Sequence, residues 1–135
     1  MQTQTLRAVP SNGQRKAGVA LSVIAILFLL LDSGMKILRA AAAVASTVEL
    51  GYPDSVVLGI GLLQLGCLML YVVPQTSVLG AVLLTGYLGG AIATHVRVGS
   101  PLFSHVLFPT YIAALVWGGV WLRDPRLRVL LPTRR

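Results

Sequence analysis

Val78–Pro101 reads VLGAVLLTGYLGGAIATHVRVGSP. No acidic or basic side chain appears in it before His95 and Arg97, and Gly99-Ser100-Pro101 then stops the helix. From Val78 to His95 a helix rises ~26 Å, close to the hydrocarbon thickness of a bilayer. The stretch is therefore predicted to be a membrane span. The other apolar runs of the chain are expected to pack around it.

The rest of the composition agrees. The chain has 135 residues, enough for one domain, of which 56% are hydrophobic and 11% charged. Its mean hydropathy is +0.81. A soluble domain carries roughly 25% charged residues. The net charge of +7 would suit nucleic acid, but no aromatics interleave with the basic residues. The arginines cluster instead after the last apolar run, at Arg123, Arg126, Arg128, Arg134 and Arg135. That placement reads as topology and lipid contact, with no nucleic-acid partner. Cys67 is the only cysteine, so an internal disulfide or a CxxC redox pair is excluded. It sits mid-run and reads as a small buried apolar residue.

The expected fold is all-α, a polytopic integral membrane four-helix bundle. Residues 1–14 form a polar N-terminal tail, 15–122 the transmembrane domain and 123–135 a basic C-terminal tail. The four helices are placed at about 16–39, 55–73, 78–97 and 105–122. Arg15 and Lys16 before Ala17–Leu31 resemble a signal peptide, and the triplet at Ala43–Ala45 resembles a cleavage site. Asp32, Lys36 and Arg39 intervene, so a retained first helix is expected. Gly51-Tyr52-Pro53 breaks the chain and Pro74 ends the second helix. Pro109 is expected in the first turns of the fourth, where proline is tolerated. Trp121 beside Arg123 reads as an interfacial anchor.

Gly59 and Gly66 share a face of the second helix. In the third, Gly86 and Gly90 form a small-xxx-small pair with Gly89 beside them. These five glycines are expected to be close-packing positions; the alternative is a backbone lining a lipid or quinone cleft. Gln64 is expected to hydrogen-bond a neighbouring helix. No phosphate loop, nucleophile elbow or H-E-x-x-H motif occurs, and neither a metal site nor catalytic residues are assigned.

Four spans place both termini on one side. Eight basic residues flank that side, and only Lys36, Arg39 and Arg97 flank the other. The positive-inside rule puts the termini in the cytoplasm. Asp32 lies ~24 Å along the first helix from Lys16, at the depth His95 reaches from its own helix. Asp32, Lys36, Glu49, His95 and Arg97 thus gather at the non-cytoplasmic end as a candidate polar cluster. The alternative is that they are ordinary helix-end charges among the headgroups.

GMKILRA after the first apolar run, ELGYP before the second helix, GYLGGAIATHVRVG in the third and WLRDPRLRVLLP at the end together resemble the DoxX-like family of small bacterial membrane proteins. The resemblance covers about Gly34–Pro132. It implies a four-helix bundle in the bacterial inner membrane. The wider family takes its name from a subunit of a thiosulfate–quinone oxidoreductase. Many relatives carry an acidic residue in the second helix where this chain has Gln64, a departure that weakens any transfer of proton or cation chemistry. The expected function is an accessory subunit that docks a membrane or redox partner, with the bilayer as its environment and a homo-oligomer as a further possibility. Two alternatives stay open. One is a component of a quinone-linked oxidoreductase, with quinone as the cofactor; the other is a small-solute or proton-coupled carrier.

Overall fold

The computed structural model describes residues 9–130. The first eight residues of the polar tail, with Arg7, and the last five of the basic tail, with Arg134 and Arg135, lie outside the described residues. The helices are α1 (Asn12–Ile37), α2 (Ala41–Glu49), α3 (Val57–Val72), α4 (Ser77–Arg97), α5 (Phe108–Arg123) and α6 (Pro125–Leu130). Among the described residues no strand occurs. With their leading turns, four helical stretches are long and apolar enough to cross a membrane: Asn12–Ile37, Asp54–Val72, Pro74–Arg97 and Leu102–Arg123.

The helix ends follow from local chemistry. α1 starts at Asn12, inside the expected tail, because Ser11 and Gln14 form a reciprocal capping box that satisfies two orphan backbone N–H groups. Its C-terminus is wrapped by the Ala40 N–H to the Met35 carbonyl (2.9 Å) and the Arg39 N–H to the Lys36 carbonyl (3.1 Å). This wrap requires a left-handed residue. Arg39 supplies it at φ 53°, against a steric cost of about 1–2 kcal/mol, so α2 is a separate helix. The same wrap ends α2 at Gly51 (φ 90°) and α4 at Gly99 (φ 72°), where glycine adopts the conformation freely. A wide turn over Leu102–Val106 precedes α5, and Pro109 lies in the first turn of α5.

α1 packs against α3 and α5, and α4 packs against the same two. Among the described residues the backbones of the diagonal pairs α1–α4 and α3–α5 stay apart and only side chains reach across, so the four spans form a square. Gly18 and Gly119 touch across the α1–α5 seam, which brings the start of α1 and the end of α5 to one end of the bundle.

Within the single chain, the glycines packed against a neighbouring helix differ from the five expected. A Cβ on Gly59, Gly66, Gly86, Gly89 or Gly90 would meet nothing within 4 Å. A Cβ on Gly80 would lie 2.2 Å from the Tyr71 nitrogen, one on Gly61 2.8 Å from the Lys36 Cβ, and one on Gly119 2.1 Å from the Ser22 Oγ. Spacing along a helix reveals that two glycines share a face, but not which face meets a neighbour. Gly86 and Gly90 instead line a partly open cavity, where a missing side chain leaves room.

In the half of the bundle nearer the termini the interior is filled. Tyr71, 1% exposed, donates to the Val116 carbonyl (2.8 Å) and shares a hydrogen bond with Ser22 (2.8 Å). The Arg123 guanidinium lies 6.0 Å from the centre of its ring, within cation–π range.

A candidate ligand cavity beneath α2

The other half of the bundle holds a partly open cavity of about 490 Å³. Pockets that hold a small organic molecule span roughly 300–1,000 Å³. Phe28, Leu29, Leu63, Leu88, Phe108 and Ile112 form its apolar walls. The edge-to-face pair of Phe28 and Phe108, with centroids 5.2 Å apart, bridges α1 and α5. α2 and the turn after it contribute Ser46, Thr47, Leu50 and Tyr52 and roof the cavity. Three links hold this roof. Arg39 pairs with Asp54, the Arg97 guanidinium donates to the Leu50 carbonyl (2.9 Å), and Tyr52 bonds Thr94 (2.9 Å).

Inside, one network joins α1, α3 and α4. Asp32 and Lys36 stand one turn apart on α1, the spacing that lets a helical ion pair close, and they meet at 2.5 Å. The Lys36 ammonium also donates to the Gln64 carbonyl oxygen (3.0 Å) and to the Tyr87 hydroxyl oxygen (3.2 Å). Gln64 is fully buried. Its amide donates to Asp32 (2.8 Å) and to the Leu29 carbonyl (3.4 Å), and its oxygen accepts from Tyr87 (2.9 Å). No buried side-chain nitrogen or oxygen among the described residues lacks a partner. That completeness matters, because a half-satisfied charge at this depth costs several kcal/mol.

The five residues of the candidate cluster divide. Asp32, Lys36 and His95 line the cavity. Glu49 is exposed on α2 and does not line it. Arg97 is exposed as well and serves the roof through Leu50. His95 does not contact Asp32. Its Nδ1 lies 3.0 Å from the Ser100 hydroxyl, and its ring packs edge-on against His105 with centroids 5.7 Å apart. Gln64 does bond neighbouring helices, on both sides. Tyr87 was the member without a sequence signal of its own: a phenol after Gly86, marked only by its position three residues before Gly90. Among the described residues no group of three or more His, Cys, Asp or Glu side chains could hold a metal ion.

No curated protein and no solved structure is significantly similar to this chain. The family model described as the DoxX-like family matches residues 20–119. That span takes in three of the four membrane helices almost whole and most of the first, together with every member of the Asp32–Lys36–Gln64–Tyr87 network. The chain belongs to the DoxX-like family.

Proposed function

We propose that this membrane protein is a ligand-binding subunit, which holds one small and largely apolar molecule from the bilayer in the cavity beneath α2. The observation that carries the reading is the cavity itself: apolar walls of ligand size around a satisfied polar network contributed by three helices. A subunit that served only as a dock for a partner would need no such interior. A carrier would need a second way out of the bundle, and Tyr71 and its hydrogen bonds fill that path. The bound molecule is handed to, or received from, a partner protein that supplies any reaction chemistry.

Quinone fits the volume but not the hydrogen-bonding sense of the site. Its carbonyl oxygens only accept, whereas the three protons of the Lys36 ammonium already have three partners within the protein. The reading therefore does not depend on quinone. We propose further that it lies in a bacterial inner membrane, as the family resemblance implies, with both termini cytoplasmic, an orientation that the distribution of its basic residues supports.

A photoreactive aryl diazirine of benzene size tests the binding reading in reconstituted vesicles. Leu88 and Ile112 are 6% and 5% exposed, so they lie off the outer faces of their helices, yet both line the cavity. Labelling of these two positions is expected, with its loss in Gly90→Trp, which fills the space. Labelling confined to the outward faces of the helices would overturn the reading.

A further inference from the structure

The hydrogen-bond sense of the cavity carries a statement about its occupant, resting on the binding reading above. Each lining side chain has a fixed number of donors, and these can be followed one by one. Lys36 has three protons and three partners: Asp32, Gln64 and Tyr87. Both amide hydrogens of Gln64 are used, on Leu29 and Asp32. The Tyr87 hydroxyl donates to Gln64. Ser46 and Thr47 both donate to the Ala43 carbonyl. Thr94 donates to the Gly90 carbonyl (2.9 Å), so in the bond between Thr94 and Tyr52 the tyrosine is the donor. Only His95, bonded through Nδ1 to Ser100, has a remaining ring nitrogen whose sense follows its tautomer.

Apart from that nitrogen, what stays available is acceptor capacity. The strongest acceptor is Asp32. Lys36 and Gln64 both donate to its Oδ2, which leaves Oδ1, and its side chain is 38% exposed at the cavity lining. A ligand oxygen without a proton would meet lone pairs here and gain nothing. A hydroxyl would make a charge-assisted O–H···O⁻ bond, among the stronger hydrogen bonds that proteins form. A cationic amine would also donate, but the Lys36 ammonium already stands on the same carboxylate, 2.5 Å away, and repels a second positive charge.

We infer that the cavity selects a neutral hydroxyl-bearing apolar molecule, a phenol or related alcohol, through its proton on Asp32, and rejects the matching ether, ketone or quinone. Asp32 is then the residue that determines specificity. An asparagine at that position would turn its carbonyl oxygen toward the two donors, Lys36 and Gln64, and its amide toward the ligand. The free position would become a donor, and the preference would reverse.

The experiment measures equilibrium binding of three probes of one shape, 4-pentylphenol, 4-pentylanisole and 4-pentylbenzylamine, to the purified protein in nanodiscs. The phenol is expected to bind at least roughly tenfold tighter than the anisole, the least that a hydrogen bond to a charged acceptor is worth. Asp32→Asn is expected to erase or invert that ratio. Since Asp32→Asn leaves Lys36 without its counter-charge, Asp32→Asn with Lys36→Met is measured beside it and is expected to show the same loss of preference. Equal affinities of phenol and anisole in the unaltered protein would overturn the selectivity while leaving the cavity as a binding site. Tighter binding of the benzylamine would overturn the neutral class. Failure of all three to bind would overturn the binding reading and the inference with it.

Discussion

Gln64 is the residue on which α1, α3 and α4 meet. It uses both donors and both acceptor positions of its amide, on Leu29, Asp32, Lys36 and Tyr87. Hydrogen bonds between membrane helices average ~0.6 kcal/mol each, because the unfolded chain in lipid also finds partners. Four of them make about 2 kcal/mol the expected loss for Gln64→Leu, read from unfolding in a detergent series. Gln64→Leu should also release Lys36 and Tyr87 to point donors into the cavity, so its ligand preference should move toward acceptors. The sequence showed the pair Asp32 and Lys36, because an i, i+4 acid and base on one helix needs no tertiary information. It also showed that Gln64 would bond a neighbour. It could not show that Tyr87 completes the set, since that depends on the rotation of α4 about its axis. Arg97 and Glu49 share the depth of Asp32 but not its direction, and depth was all that their positions in the chain revealed.

The glycines act at the scale of whole helices, and two of them make opposite predictions. Gly80 sits where α4 begins against the end of α3, with a would-be Cβ 2.2 Å from the Tyr71 backbone nitrogen. Gly80→Ala is expected to destabilise the bundle by about 1–3 kcal/mol, the usual cost of overpacking. Gly90→Ala meets nothing within 4 Å and relieves the flexibility of a mid-helix glycine, so it should be neutral or stabilising by up to about 1 kcal/mol. Melting of the two variants in one detergent checks both. A larger loss for Gly90→Ala than for Gly80→Ala would contradict the placement of the α3–α4 seam. The four spans were legible because length, hydropathy and the breaks at Pro53, Pro74 and Gly99-Ser100-Pro101 are local properties. α2 was not: the sequence places the first helix at about 16–39 and marks no separate helix after it. Its separation depends on Arg39 in the left-handed region, a conformation that side chains other than glycine seldom adopt.

At the scale of the molecule the two halves of the bundle differ in kind. The half near the termini is closed by Tyr71, Ser22 and the contact between Gly18 and Gly119. The other half holds the partly open cavity and carries α2 as its roof. On the proposed orientation, with the termini cytoplasmic, the cavity lies in the half of the bundle toward the outer leaflet. A phosphatase active only in the periplasm, fused after Arg135, is expected to be inactive; strong activity would reverse the orientation. The central claim is that one cavity in each chain holds one ligand. Native mass spectrometry of the purified protein titrated with 4-pentylphenol measures this most directly. Saturation at one molecule per chain is expected, with its loss in Gly90→Trp. Non-saturating uptake, or uptake that Gly90→Trp leaves unchanged, would contradict it.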